Sequence, residues 1–159
     1  RVHLDTREGL TVNYPPDYDS SQPTCYAMNR QRFESLVSQA IEALPDEFLE
    51  RLENIAIVIA DTPSRVQSKK AGVRHGEILL GLYEGVPLIK RSHNYGMVPP
   101  DKITIFQKSI ESVCHNDAEI AAEVQRVVQH EIAHYFGLGD ARLYEIEEQK
   151  LRRNKTRRD

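Results

Sequence analysis

Two histidines and a glutamate stand at a spacing that suits metal chemistry. His130, Glu131 and His134 fall within one predicted helix, and the chain continues through Gly137 to Asp140. Residues four apart on a helix lie about 40° apart around its axis and about 6 Å apart along it, so both imidazoles can reach one metal ion. Because Glu131 directly follows the first imidazole, its carboxylate can accept a proton from a water beside that ion. We therefore predict Glu131 as a general base next to a metal centre.

The segment after the second histidine offers a third ligand. Gly137 can adopt a positive φ, end the helix and turn the chain back, which would let Asp140 reach the ion. Two neutral imidazoles, one carboxylate and a water make up the four-coordinate arrangement of catalytic zinc. We predict that His130, His134 and Asp140 bind Zn²⁺. This longer spacing arises by chance much less often than the His-Glu-x-x-His motif alone.

The helix that carries the motif has the clearest periodicity in the chain. It is predicted over residues 117–136, where apolar side chains recur three and four positions apart. His130 and His134 lie at one margin of this apolar arc, so the metal-binding face borders the core. The residues that define the arc are Ile120, Val124, Val127, Val128 and Ile132.

The other segments predict a small sheet with helices packed against it, which is an α+β fold. Helices are predicted from the N-cap Asn29 to residue 44, over 46–52 and over 140–151. A strand buried on both faces is predicted at 54–60, and further strands are predicted at 78–83 and 102–106. The strand at 78–83 is expected to continue over 86–89 as an edge strand. Loops are predicted at 61–76 and 91–100.

Length and composition favour one domain. The chain has 159 residues, 40% of them hydrophobic and 28% charged, and a formal net charge of −3. We expect a flexible N-terminal arm at 1–28, a domain at 29–151 and a basic tail at 152–159. No apolar run approaches the roughly 20 residues of a membrane-spanning helix, so a membrane partner is not expected. The net charge gives no overall attraction to nucleic acid, and we expect a cytoplasmic protein.

The motif and several shorter segments resemble known proteins. Residues 127–143 look like the zincin metallopeptidases, and their spacing is similar to the metzincin clan, particularly its aspartate-ligated variants. Segments that resemble the small bacterial proteins sometimes called minimal zincins lie at 33–37, 43–48, 81–88 and 102–106. The resemblance implies a single zincin-like domain with a small sheet over the active-site helix. It also implies zinc ligands at His130, His134 and Asp140 and a base at Glu131.

Other polar residues are weaker candidates. Lone loop histidines are usually solvated, which is our interpretation of His75, His93 and His115. Tyr83, Tyr95 or Tyr144 could donate a hydrogen bond to the oxyanion of a tetrahedral intermediate, and the sequence does not choose among them. We interpret Glu145, Glu147 and Glu148 as an exposed helix face. The six cations of residues 150–159 are interpreted as a solvated helix end, with nucleic-acid binding as a weaker alternative. For the segment 81–85, two interpretations have equal weight. It could be an open sheet edge that pairs with an extended peptide, or it could be a buried hairpin.

Two functions follow from these residues. The first is a zinc-dependent metallopeptidase acting on a peptide or protein substrate, with Glu131 moving the protons. The alternative is a zinc-binding interaction or regulatory domain with little or no turnover, in which the metal stabilises the fold. The alternative is favoured by Asp140 as a ligand and by a chain too short for the lower subdomain that shapes a peptidase cleft.

Overall fold

The computed structural model describes residues 9–14, 26–87, 90–92, 100–138 and 145. These residues form one mixed sheet with helices, which confirms the predicted α+β class. In chain order the elements are β1 (Gly9–Asn13), α1 (Arg30–Glu42), α2 (Asp46–Leu49), β2 (Ile55–Ala60), α3 (Arg65–Lys70), β3 (Glu77–Glu84), β4 (Asp101–Phe106), α4 (Gln107–Val113) and α5 (Asp117–Phe136).

The sheet has four strands in the order β1-β3-β4-β2. β3 is antiparallel to both of its neighbours, whereas β2 runs parallel to β4. Helices α1 and α5 contact each other, and α5 also contacts β1, β3 and β4. The small sheet therefore lies over α5, as the resemblance to zincins implies.

The predicted start of α1 and both predicted ends of α5 are confirmed, whereas α1 ends at Glu42 and α2 at Leu49, earlier than predicted. The Asn29 side chain accepts hydrogen bonds from the first turn of α1, and the Asn116 side chain accepts one from Glu119 N at the start of α5. Gly137 ends α5 with φ 71°, a left-handed conformation that suits glycine. The long helix thus begins and ends where the sequence predicted.

The main core lies between α1, α5 and the facing side of the sheet. Its fully buried members come from all three layers: Phe33, Leu80, Ile105, Ile110, Ile120, Val124, Val127 and Tyr135. A smaller cluster of Ala71, Leu79, Leu82 and Phe106 covers the opposite side of the sheet. Because both sides of β3 are covered, this strand is buried along almost its whole length.

The structure corrects four secondary-structure predictions. Residues 9–13, part of the predicted flexible arm, form β1 because β3 offers them a partner strand. The predicted loop at 61–76 contains α3, which has a capping box between Ser64 and Gln67. Helix α4 directly follows β4 and was not predicted. Strand β2 is only partly buried, with Val58 39% exposed, because it is an edge strand of the sheet.

The segment after β3 also differs from its prediction. Val86 and Pro87 lie outside any strand, whereas a strand continuation was predicted there. Gly81 and Leu82 pair with β1 on one side and antiparallel with β4 on the other, so they do not form an open edge and instead lie in a buried strand paired with the next strand of the chain. Residues 88 and 89 and the predicted final helix lie outside the described residues, apart from the exposed, helical Glu145. Within the described part of the chain, no helix is long and apolar enough to cross a bilayer.

α5 packs tightly against the sheet at Gly81. A Cβ built at Gly81 would lie 2.5 Å from Val127 Cγ1, a separation that real Cβ atoms essentially never show. Gly81→Ala should therefore push α5 away from β3 and lower the free energy of unfolding by about 1–3 kcal/mol. Urea denaturation measures this loss. In a Val127→Ala background the same change should cost less, because the clashing methyl group is gone; an equal cost in both backgrounds would contradict this packing.

Candidate metal centre

Helix α5 brings the two predicted histidine ligands together. The Nε2 atoms of His130 and His134 are 2.9 Å apart, and the ring centroids are separated by 4.7 Å at an interplanar angle of 66°. Both side chains are partly buried at the margin of the core. The two imidazoles therefore converge on one point, as their i, i+4 spacing predicts.

The environment of His130 favours its neutral form. Burial, the neighbouring His134 and the cationic Arg126 together lower the pKa of His130 to about 3. A neutral imidazole has a lone pair available for a metal ion, whereas an imidazolium does not. At neutral pH, His130 is therefore ready to act as a ligand without first losing a proton.

The spacing of the imidazoles fits a zinc ion. Zinc–nitrogen bonds of about 2.0–2.1 Å at a tetrahedral angle place two ligand nitrogens about 3.3 Å apart. The observed Nε2–Nε2 distance of 2.9 Å is only a few tenths of an ångström shorter, so small side-chain rotations would admit the ion. Within the described ranges, no group of three or more metal-binding side chains occurs. Asp140, the predicted third ligand, lies outside those ranges.

Glu131 projects into the interface between α5 and the sheet. Its side chain is 0% exposed, and its Oε1 accepts a hydrogen bond of 3.0 Å from the backbone amide of Leu10 in β1. A buried carboxylate requires such donors, because transferring it from water into the protein interior is costly. The predicted base is thus enclosed by a strand that lies 121 residues earlier in the chain.

A β-bulge shapes the sheet beside Glu131. The β1–β3 register passes from Thr11 opposite Leu79 to Leu10 opposite Gly81, which makes Leu80 the extra residue. A Cβ at Gly81 would lie 3.2 Å from Glu131 Cγ and 3.3 Å from Oε1. The bulge and the bare glycine together make room for the carboxylate below the sheet.

The weaker candidates have other surroundings. His75 and His115 are exposed, and the His115 ring pairs with Glu119 at 3.1 Å, as expected for solvated histidines.

Tyr83 is buried and donates a hydrogen bond of 2.7 Å to Asp101, which also pairs with Arg91. Burial and the Asp101 carboxylate raise the pKa of Tyr83 far above its ordinary value. The Tyr83 hydroxyl is thus already engaged by a carboxylate. The candidates His93, Tyr95, Tyr144, Glu147 and Glu148 lie outside the described residues.

Three participants were missed by the sequence reasoning. Leu10 contributes a backbone amide, which no side-chain motif reveals. Gly81 and Gly9 have no side chain, which lets their strands approach each other closely. A Cβ at Gly9 would lie 2.8 Å from Gly81 O. Gly81 stands in a predicted strand, which is a recognised signal for a bulge or a close backbone approach, whereas Gly9 lies in the predicted flexible arm.

Comparison with known proteins identifies the family. A family profile described as zincin-like metallopeptidase matches residues 52–150. The chain belongs to this family. The matched residues include α5 and both histidines. No curated protein matched the sequence.

One solved structure is similar to this zincin-like chain. It is a conserved hypothetical protein from Thermus thermophilus, with 20% sequence identity and a TM-score of 0.46. The alignment covers 69% of this chain and 94% of the other.

The lowered pKa of His130 makes the stability of the metal-free chain depend on pH. An unfolded histidine takes up a proton near pH 6.5, whereas folded His130 does so near pH 3. Stability present above pH 6.5 should be lost as the pH falls from 6.5 towards 3, by at most about 1.4 kcal/mol per pH unit from this group. His130→Gln should flatten the curve of free energy of unfolding against pH in this window. His75→Gln, an exposed control, should not; equal slopes in all three proteins would refute the assignment.

Proposed function

We propose that this chain is a zinc-dependent metallopeptidase that hydrolyses a peptide bond of a peptide or protein substrate. The observation that carries the proposal is the convergence of His130 and His134, with Nε2 atoms 2.9 Å apart, on the helix that also carries Glu131. The family match supports the same class of enzyme. Zinc supplies a Lewis acid that polarises the scissile carbonyl and makes a nearby water more acidic.

Residues of this chain would bind the ion and transfer the protons. His130 and His134 would hold the ion, and Asp140 is the proposed third ligand, because Gly137 turns the chain immediately after α5. Glu131 would accept a proton from the attacking water and return it to the nitrogen of the breaking C–N bond. The water thereby contributes its hydroxyl to the carbonyl carbon and its proton to the leaving amine.

The surroundings of Glu131 accommodate a backbone amide. Its Oε1 accepts a hydrogen bond of 3.0 Å from the Leu10 N–H, in a position 0% exposed to solvent. The main chain of an extended peptide therefore fits against this carboxylate, which supports a peptide or protein substrate.

The second candidate is a zinc-binding interaction or regulatory domain with little or no turnover. The complete burial of Glu131 favours it, because a base closed off by β1 does not meet water or substrate in this conformation. In that case zinc would mainly stabilise the fold. A large fall in melting temperature on adding a chelator, with no cleavage of an unfolded protein by the zinc-loaded chain, would select this candidate.

The role of Glu131 is tested by Glu131→Gln. Glutamine keeps an oxygen that can accept the Leu10 amide, so the fold and the zinc content should stay unchanged. Because an amide does not take up the proton of the attacking water, cleavage of an unfolded protein should fall at least about 100-fold. Peptide products are measured by mass spectrometry and zinc by elemental analysis. Full activity in this variant would refute the mechanism.

The ligand set is tested by removing each member in turn. His130→Ala, His134→Ala and Asp140→Ala should each weaken zinc binding at least tenfold, since each removes one of three protein ligands. Zinc titration against a chromophoric chelator measures the affinity. His75→Ala, an exposed histidine, is the matched control and should keep the original affinity. Unchanged affinity in Asp140→Ala would remove Asp140 from the site.

A further inference from the structure

The strand position beside the candidate site is filled by the chain's own N-terminal segment. β1 pairs antiparallel with β3, and its Gly9 and Leu10 face Leu82 and Gly81 directly above Glu131. Without β1, this side of β3 would present unpaired backbone donors and acceptors. Such an edge binds an extended peptide as an added strand, through main-chain hydrogen bonds.

Leu10 also occupies a chemically distinctive place. Its amide N–H donates a hydrogen bond of 3.0 Å to Glu131 Oε1, so β1 lies directly against the predicted base. With β1 in place, Glu131 is 0% exposed, so a peptide cannot reach it.

We propose that β1 is a built-in substitute for substrate: it closes the site, and an extended peptide binds by displacing it from β3. This inference rests on the proposed peptidase function and specifies its substrate and regulation. The substrate is an extended segment that forms an antiparallel strand against β3 in the place of β1.

The contacts of β1 define which peptides fit. The residue at the position of Gly9 must be small, because a Cβ there would lie 2.7 Å from Leu79 Cδ1 and 2.8 Å from Gly81 O. The next residue should be apolar, because Leu10 is 8% exposed and belongs to the main core. The site therefore selects a small residue followed by a leucine-like residue.

Gly9 also offers a way to open the site in the full chain. A valine side chain would collide with the carbonyl oxygen of Gly81, which is backbone and does not yield as a side-chain end does. Gly9→Val should therefore dislodge β1 and leave Glu131 and both histidines unaltered. Asn13→Ala is the matched control, because Asn13 is an exposed residue of the same strand.

The experiment uses a fluorescent peptide with the sequence of residues 9–14, GLTVNY, and measures its binding to metal-free protein by fluorescence anisotropy. Gly9→Val should bind this peptide at least tenfold more tightly than the original chain or Asn13→Ala, because the apparent affinity falls with the fraction of molecules whose site is closed. Equal affinities in the three proteins, with the fold intact by circular dichroism, would overturn the inference.

A second measurement needs no substitution. An excess of unlabelled GLTVNY peptide should accelerate hydrogen exchange at the amides of residues 9–13 in the original chain, because the peptide displaces β1. Unchanged exchange at saturating peptide would overturn the inference even if Gly9→Val failed to fold. Neither readout depends on zinc or on cleavage. Peptide binding without any hydrolysis by the zinc-loaded Gly9→Val chain would therefore count against the peptidase and leave strand exchange standing.

Discussion

The close approach of α5 to β3 at Gly81 determines the geometry of the whole site. Because Gly81 has no side chain, Val127 and Glu131 can lie directly against the strand, with contacts that a Cβ would forbid. Val127 anchors the helix in the main core. Once that face of α5 is fixed, a rotation of about 100° per residue places His130 and His134 at the margin of the core. The histidines are thus oriented by a glycine on another element.

Local signals in the sequence were sufficient to predict the helix that carries the histidines and the residue at which it ends. The apolar period of α5 and the terminating Gly137 act within a few residues, and the structure reproduces both; the Asn116 cap is equally local and could have been recognised from the sequence. The capping box of α3 is equally local and could have been recognised from Ser64 and Gln67. By contrast, β1 has five residues with a glycine and an asparagine, and only the neighbouring β3 makes it a strand.

The candidate site shows the same division between local and distant information. The convergence of the two imidazoles follows from helix geometry, so the spacing predicted it. The environment of Glu131 does not, because its hydrogen-bond donor is a backbone amide 121 residues away. Every residue except proline has a backbone N–H, so the identity of residue 10 does not reveal that its amide binds Glu131. From the hydrophobic pattern alone, Leu10 would be interpreted as a core leucine. Only Gly81, a glycine in a predicted strand, hinted that chains approach closely here.

The same hydrogen bond both stabilises Glu131 and limits its chemistry. A carboxylate with no exposed surface needs a donor, and the Leu10 amide provides one at 3.0 Å. If β1 moved away and nothing replaced it, the carboxylate would lose that donor. In the strand exchange that we propose, a peptide added to β3 would offer Glu131 a backbone amide in the same place. The carboxylate would then accept a hydrogen bond from a main-chain N–H both before and after the exchange, so displacing β1 would not leave it buried without this donor.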